Sequence, residues 1–129
     1  MVDASGVPFA ERQKEVPMYA RVTTFPGLAP ERIKATLAEF TEHHLPRLEQ
    51  EPGYRGVWAG VDFTGGRAIA VTYWESVDAL HASDPVANEV RAAAVTRAGV
   101  DRNRPPITDR YEVVLDKQSL SSERTSGSG

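Results

Sequence analysis

The chain has 129 residues, enough for one modest core once its polar ends are set aside. Its 15 Lys and Arg against 18 Asp and Glu leave a net charge of -3, with the two signs interspersed, so no footprint for nucleic acid or an anionic membrane is expected. It contains no cysteine, which removes disulfides, thiolate nucleophiles, iron–sulfur ligation and most structural zinc sites.

Residues 1–16 are short of large apolar side chains apart from Phe9, and are expected to be a flexible N-terminal segment ahead of a folded domain spanning 17–117. Met18 to Phe25, aromatic and β-branched, reads as a first strand that stops at Pro26-Gly27. Pro30 suits the first position of a helix. Ile33, Leu37, Phe40, His44 and Leu48 then recur at helical spacing, with Pro46 expected to bend or interrupt the helix and Pro52-Gly53 to end it. Tyr54 to Phe63 and Arg67 to Trp74 flank Thr64-Gly65-Gly66 and read as an antiparallel hairpin. Ser76 is placed to cap a short helix, Asp84-Pro85 restarts helix through Ala98, and Gly99 stops it. Ile107 to Leu115 is a fourth strand, and 118–129 is a low-complexity polar tail.

The order β-α-β-β-α-β predicts an α+β, ferredoxin-like fold: a four-stranded antiparallel sheet with both helices on one face. The other face needs a cover, and a homodimer with two sheets packed face to face supplies it. Along the third strand Ile69, Val71 and Tyr73 form a bulky face that reads as core. The opposite face, Ala68, Ala70, Thr72 and Trp74, reads as a pocket against the partner with an aromatic wall. No apolar stretch approaches the ~20 residues of a membrane span and residues 1–17 lack the apolar core of a signal peptide, so a cytoplasmic protein without a membrane partner is expected.

Trp74 is a candidate to stack on a planar substrate, or else a dimer-interface or core tryptophan, and Trp58 and Tyr54 on the second strand add aromatic lining or interface packing. Arg21, a charge in the middle of a central strand, either orients a phenolate or carboxylate or forms a salt bridge at the dimer interface; Tyr19 and Thr23 share its face. Which side of that strand faces the partner stays open. His44 and His81 are the candidate general bases, each weighed against a hydrogen-bonded or solvated role. His43 and His44 point about 100° apart on a helix, and no histidine pair joins a carboxylate at metal-ligand spacing, so no metal is expected. Gly65-Gly66 lies in a hairpin rather than between strand and helix, which argues against a phosphate cradle.

Pro52-Gly-Tyr-Arg-Gly56, the hairpin after it, and above all Thr72-Tyr-Trp-Glu-Ser76 leading into Val77-Asp-Ala-Leu80 resemble the antibiotic biosynthesis monooxygenase family of the dimeric α/β-barrel superfamily. The resemblance covers about Met18 to Lys117 and implies a homodimer that oxidises an electron-rich quinol or anthrone with molecular oxygen and no cofactor. It carries over Trp74; the asparagine that partners this tryptophan in anthrone oxygenases is Ala70 here, and the haem-degrading branch's asparagine and histidine have no counterpart. In that reading Trp74, Tyr19, Ala70, Thr72 and Trp58 bind the substrate while Arg21, His44 and His81 serve catalysis. The alternative is a non-catalytic dimer of the same fold that binds a small hydrophobic molecule, with haem binding or degradation ranked third.

Overall fold

The computed structural model describes residues 18–101 and 103–117. The segments 1–16 and 118–129, expected to be flexible, lie outside the described residues. Strands β1 (Tyr19–Phe25), β2 (Tyr54–Asp62), β3 (Arg67–Trp74) and β4 (Ile107–Glu112) form one antiparallel sheet in the order β2-β3-β1-β4. Helices α1 (Ile33–Glu39), α2 (Leu45–Glu49), α3 (Val77–Ala82) and α4 (Asp84–Ala98) cover one face of it. This is the expected ferredoxin-like α+β arrangement, in which the two central strands are β3 and β1.

The first helical region is not one continuous α-helix. It opens with a single 3-10 turn at Pro30–Arg32, runs through α1, widens into a π turn over Phe40–His44 and resumes as α2. The amide of Leu45 donates to the carbonyl of Phe40, five residues back, where an α-helix would use the fourth. Pro46 follows at once. Its ring has no N–H to donate and crowds the carbonyl four residues earlier, so a widened turn is the local solution to a proline inside a helical stretch.

The hairpin between β2 and β3 closes with Asp62 opposite Arg67. The Asp62 carboxylate accepts from the Gly65 amide at 2.9 Å and from Arg67 Nη2 at 2.7 Å, and these bonds hold its carboxyl below the usual range. Gly66 has φ +69°, and a Cβ there would sit 2.5 Å from the carbonyl oxygen of Leu28, so only glycine lets the loop after β1 lie against this turn. β4 ends earlier than the sequence pattern indicates. The Val113 amide still bonds the carbonyl of Met18 at 2.9 Å, but β1 begins at Tyr19, and Val114 and Leu115 project into solvent.

Strand faces differ from the expectation. Register puts Tyr19 opposite Trp74, Arg21 opposite Thr72, Thr23 opposite Ala70 and Phe25 opposite Ala68. This face meets the helices: Trp74 is fully buried in a cluster with Leu48, Leu80 and Val90, joined by Tyr19, Phe40, Tyr54 and Val86. The bulky Ile69, Val71 and Tyr73, read from sequence as core, point to the outer face; Val71 is buried there, Ile69 and Tyr73 are half-buried, and Trp58 and Tyr111 on the same face are 53% and 56% exposed. Bulk alone misled because one tryptophan supplies the core at one end of β3, and small residues toward its other end leave space beneath the helices.

Candidate functional site

That space is a cavity of about 130 Å³ inside a single chain, between the sheet and the helices. Its floor includes Thr23 of β1, Ala59 and Val61 of β2, and Ala68, Ala70 and Thr72 of β3. Its roof includes Ile33, Leu37 and Phe40 from the first helical region, and Ala87, Val90, Ala94 and Ala98 from α4. Ala59 and Ala70 are direct cross-strand partners. Two methyl groups side by side, faced by alanines one and two turns apart on α4, are why the layers do not close. The small face of β3, expected to line a pocket against a partner's sheet, thus borders a cavity between the sheet and its own helices.

Arg21 borders this cavity and is 4% exposed. Its Nη2 donates to the Leu80 carbonyl at 2.7 Å, to Ser83 Oγ at 2.9 Å, and to Asp84 Oδ1. The geometry has a local cause. Ser83 joins α3 to α4, and the Leu80 carbonyl, in the last turn of α3, accepts from the Ser83 amide at 3.3 Å and from Ser83 Oγ at 2.7 Å as well as from Arg21. Nη1, by contrast, is buried with no hydrogen-bond partner among the described residues. Burial pulls the Arg21 guanidinium below its ordinary range, and the Asp84 partnership opposes that pull. Burial works against ionising Asp84, but hydrogen bonds from Arg110, at 3.0 Å, and from Arg21 prevail and keep its carboxyl below the usual carboxylate value.

Sequence reasoning singled out Arg21, Ala70 and Thr72, and the fold brings these together at the cavity. It missed Arg91, which lines the same cavity from α4 while its Nη1 donates to Thr108 Oγ1 at 3.2 Å. The signal was present: Ala87, Arg91, Ala94 and Ala98 recur at helical spacing, so one charge sits in a stripe of small residues. Trp74 and Tyr19 belong to the core cluster beside the cavity and do not border it. The Trp74 indole N–H donates to Thr72 Oγ1 at 3.0 Å, its ring meets Tyr54 edge-on at 5.7 Å, and the Arg21 guanidinium lies 5.7 Å from its centroid. Trp58 lies on the outer face of the sheet. His44 sits 3.5 Å from Glu39 in a smaller crevice between the π turn and α4, and His81 is exposed on α3; neither borders the cavity. Among the described residues no group of three or more His, Asp or Glu is placed to hold a metal ion.

No family model matches the chain. Two curated proteins of Mycobacterium tuberculosis, the uncharacterized proteins MT2634 and Rv2557, are each 35% identical over 74 residues, 57% of this chain. The matched stretch spans only 33% of the length of those relatives. Among solved structures, a monooxygenase of Streptomyces coelicolor crystallised with Nanaomycin D is similar with a TM-score of 0.61 at 21% identity, covering 86% of this chain and 98% of that one. A Caulobacter crescentus protein named as a candidate antibiotic biosynthesis monooxygenase has a TM-score of 0.58 at 16% identity, covering 81% and 99%. The chain has the fold of the antibiotic biosynthesis monooxygenase-like proteins. A dimeric ferredoxin-like protein from an uncultured marine organism has that same sheet-and-helix arrangement, with a TM-score of 0.59 at 9% identity over 85% of this chain and 99% of that one. Among the described residues no helix is long and apolar enough to cross a membrane.

Proposed function

We propose that this protein is a monooxygenase-like enzyme that oxidises a small electron-rich aromatic of quinol or anthrone type with molecular oxygen, without a cofactor and as a homodimer. The observation that carries the reading is an almost wholly apolar cavity bordered by a buried guanidinium whose Nη1 lacks a partner. An ionised phenol or anthrone presents an oxyanion where Arg21 Nη1 can donate to it, and the apolar walls keep water from the ring. The residues that border the cavity include no histidine or carboxylate, so in this reading the substrate enters ionised and its proton goes to solvent. The electron-rich anion passes an electron to dioxygen, and recombination forms a carbon–oxygen bond. Loss of water then completes the reaction. A carbon that carried hydrogen, the methylene of an anthrone or a ring C–H para to the hydroxyl of a phenol, becomes a carbonyl, one oxygen atom ends in the product and the other in water. The Streptomyces coelicolor monooxygenase of the same fold, solved with Nanaomycin D, supports a small-molecule ligand.

Oxygen-electrode measurements on a panel of one-ring and fused-ring quinols and anthrones, with no added flavin or metal, test this. Uptake is expected with at least one of them and is expected to fall tenfold or more in Arg21→Lys, which keeps the charge but loses the forked donor. No uptake across the panel overturns it. The second reading, a non-catalytic binder, is favoured by the lack of a base at the cavity, and predicts a ligand recovered unchanged. The outer face of the sheet, on which Trp58, Ile107 and Tyr111 are exposed, supports the dimer.

A further inference from the structure

Resting on the reading of the cavity as a substrate site, we propose that its ligand is a one-ring phenol bound as the phenolate, with the anionic oxygen held between Arg21 and Arg91. Size carries the first half. A cavity of about 130 Å³ is close to the ~150 Å³ of an engineered dry cavity that accepts benzene, and well below the ~300 Å³ at which sites for drug-sized ligands begin. One ring fills it, which narrows the quinol-or-anthrone reading above to its one-ring end. The limit is set by named side chains: Ala59 and Ala70 on the sheet, and Ala87 and Ala94 on α4.

Charge carries the second half. Arg21 and Arg91 are the ionisable residues that border the cavity, and both are cations. Asp84, the carboxylate that Arg21 does bond, is shared with Arg110, and Arg91 donates to the neutral hydroxyl of Thr108. Arg21 Nη1 is buried and unpartnered, a position that costs free energy in the empty fold and is relieved by an acceptor that arrives with the ligand. A neutral ring would leave that donor unpaired. A phenolate pairs it, and the aromatic remainder fills the alanine-lined space.

The probe is 4-nitrophenol, whose phenolate absorbs where the phenol does not. Bound to the full-length protein it is expected to ionise about one pH unit or more below the free compound, a tenfold preference for the anion. Neutral nitrobenzene is expected to compete at least tenfold more weakly. Arg91→Met should bring the bound ionisation back toward the free value with the thermal midpoint held. Ala70→Leu should weaken binding tenfold or more, and if that chain does not fold, Ala94→Leu fills the same space from the helix side. Bound nitrophenol that ionises at the free value or higher overturns the proposal. So does nitrobenzene that competes equally, or both cavity-filling variants binding like the native chain. Binding as expected with no oxygen uptake from any quinol keeps the phenolate site and removes the oxygenase reading. Oxygen uptake with no nitrophenol binding does the reverse.

Discussion

A guanidinium in the middle of a central strand is costly to bury unless it is paired, and Arg21 is paired on one side only. Its sequence position already marked it as unusual; its partners were hidden, because Leu80, Ser83 and Asp84 lie about sixty residues away and meet it only when α3 and α4 cross the sheet. Asp84 has its carboxyl held below the unfolded value, so its contribution to stability is fully present above about pH 4 and is lost as pH falls through the lower folded value. Urea unfolding of Asp84→Asn is therefore expected to show a loss of about 2 kcal/mol at neutral pH that shrinks in acid, where the native carboxyl is itself protonated. Trp74 is the contrasting case. It was read as an aromatic wall, or as an interface or core residue, and the fold places it in the core, 0% exposed. Trp74→Phe is expected to lose about 2 kcal/mol in urea, from lost packing and an unpaired Thr72 hydroxyl, while the dissociation constant for 4-nitrophenol stays within about twofold.

Local signals located the elements well, because capping and turn chemistry act over three or four residues. Ser76 starts α3, and its Oγ accepts from the Ala79 amide at 3.0 Å. Ser76→Ala is expected to lower unfolding free energy by about 1 kcal/mol in urea titration, without changing the cavity lining. Pro46 was expected to disturb its helix and does so. The form of the disturbance, a π turn that bonds Leu45 to Phe40, depends on the packing of Phe40 and Leu48 on either side and was not legible. The end of β4 was misplaced for a related reason. Alternation continues beyond Glu112 in the sequence, but a strand needs a neighbour, and among the described residues the pairing with β1 goes no further than the Val113–Met18 bond.

At the scale of the molecule, the reversal of β3's faces turns its small side chains toward a cavity under the chain's own helices. The outer face, freed of that role, carries Trp58 packed across Gly60, where a Cβ would come within 2.9 Å of the indole. In the dimer proposed above, Trp58→Asp is expected to shift the native mass spectrum from dimer to monomer while 4-nitrophenol still binds. Loss of binding in a folded monomer would return the pocket to the interface. By itself the sequence determined what short-range chemistry decides: strands and helices in order, the caps and turns between them, and hence the ferredoxin-like topology. It also marked Arg21 and the run of small residues on β3 as out of the ordinary. Only the tertiary structure decided which side of the sheet those residues face and what they meet there. A period of two fixes which side chains share a face, but the choice of face comes from long-range packing, here one buried tryptophan and one arginine tied to the junction of two helices.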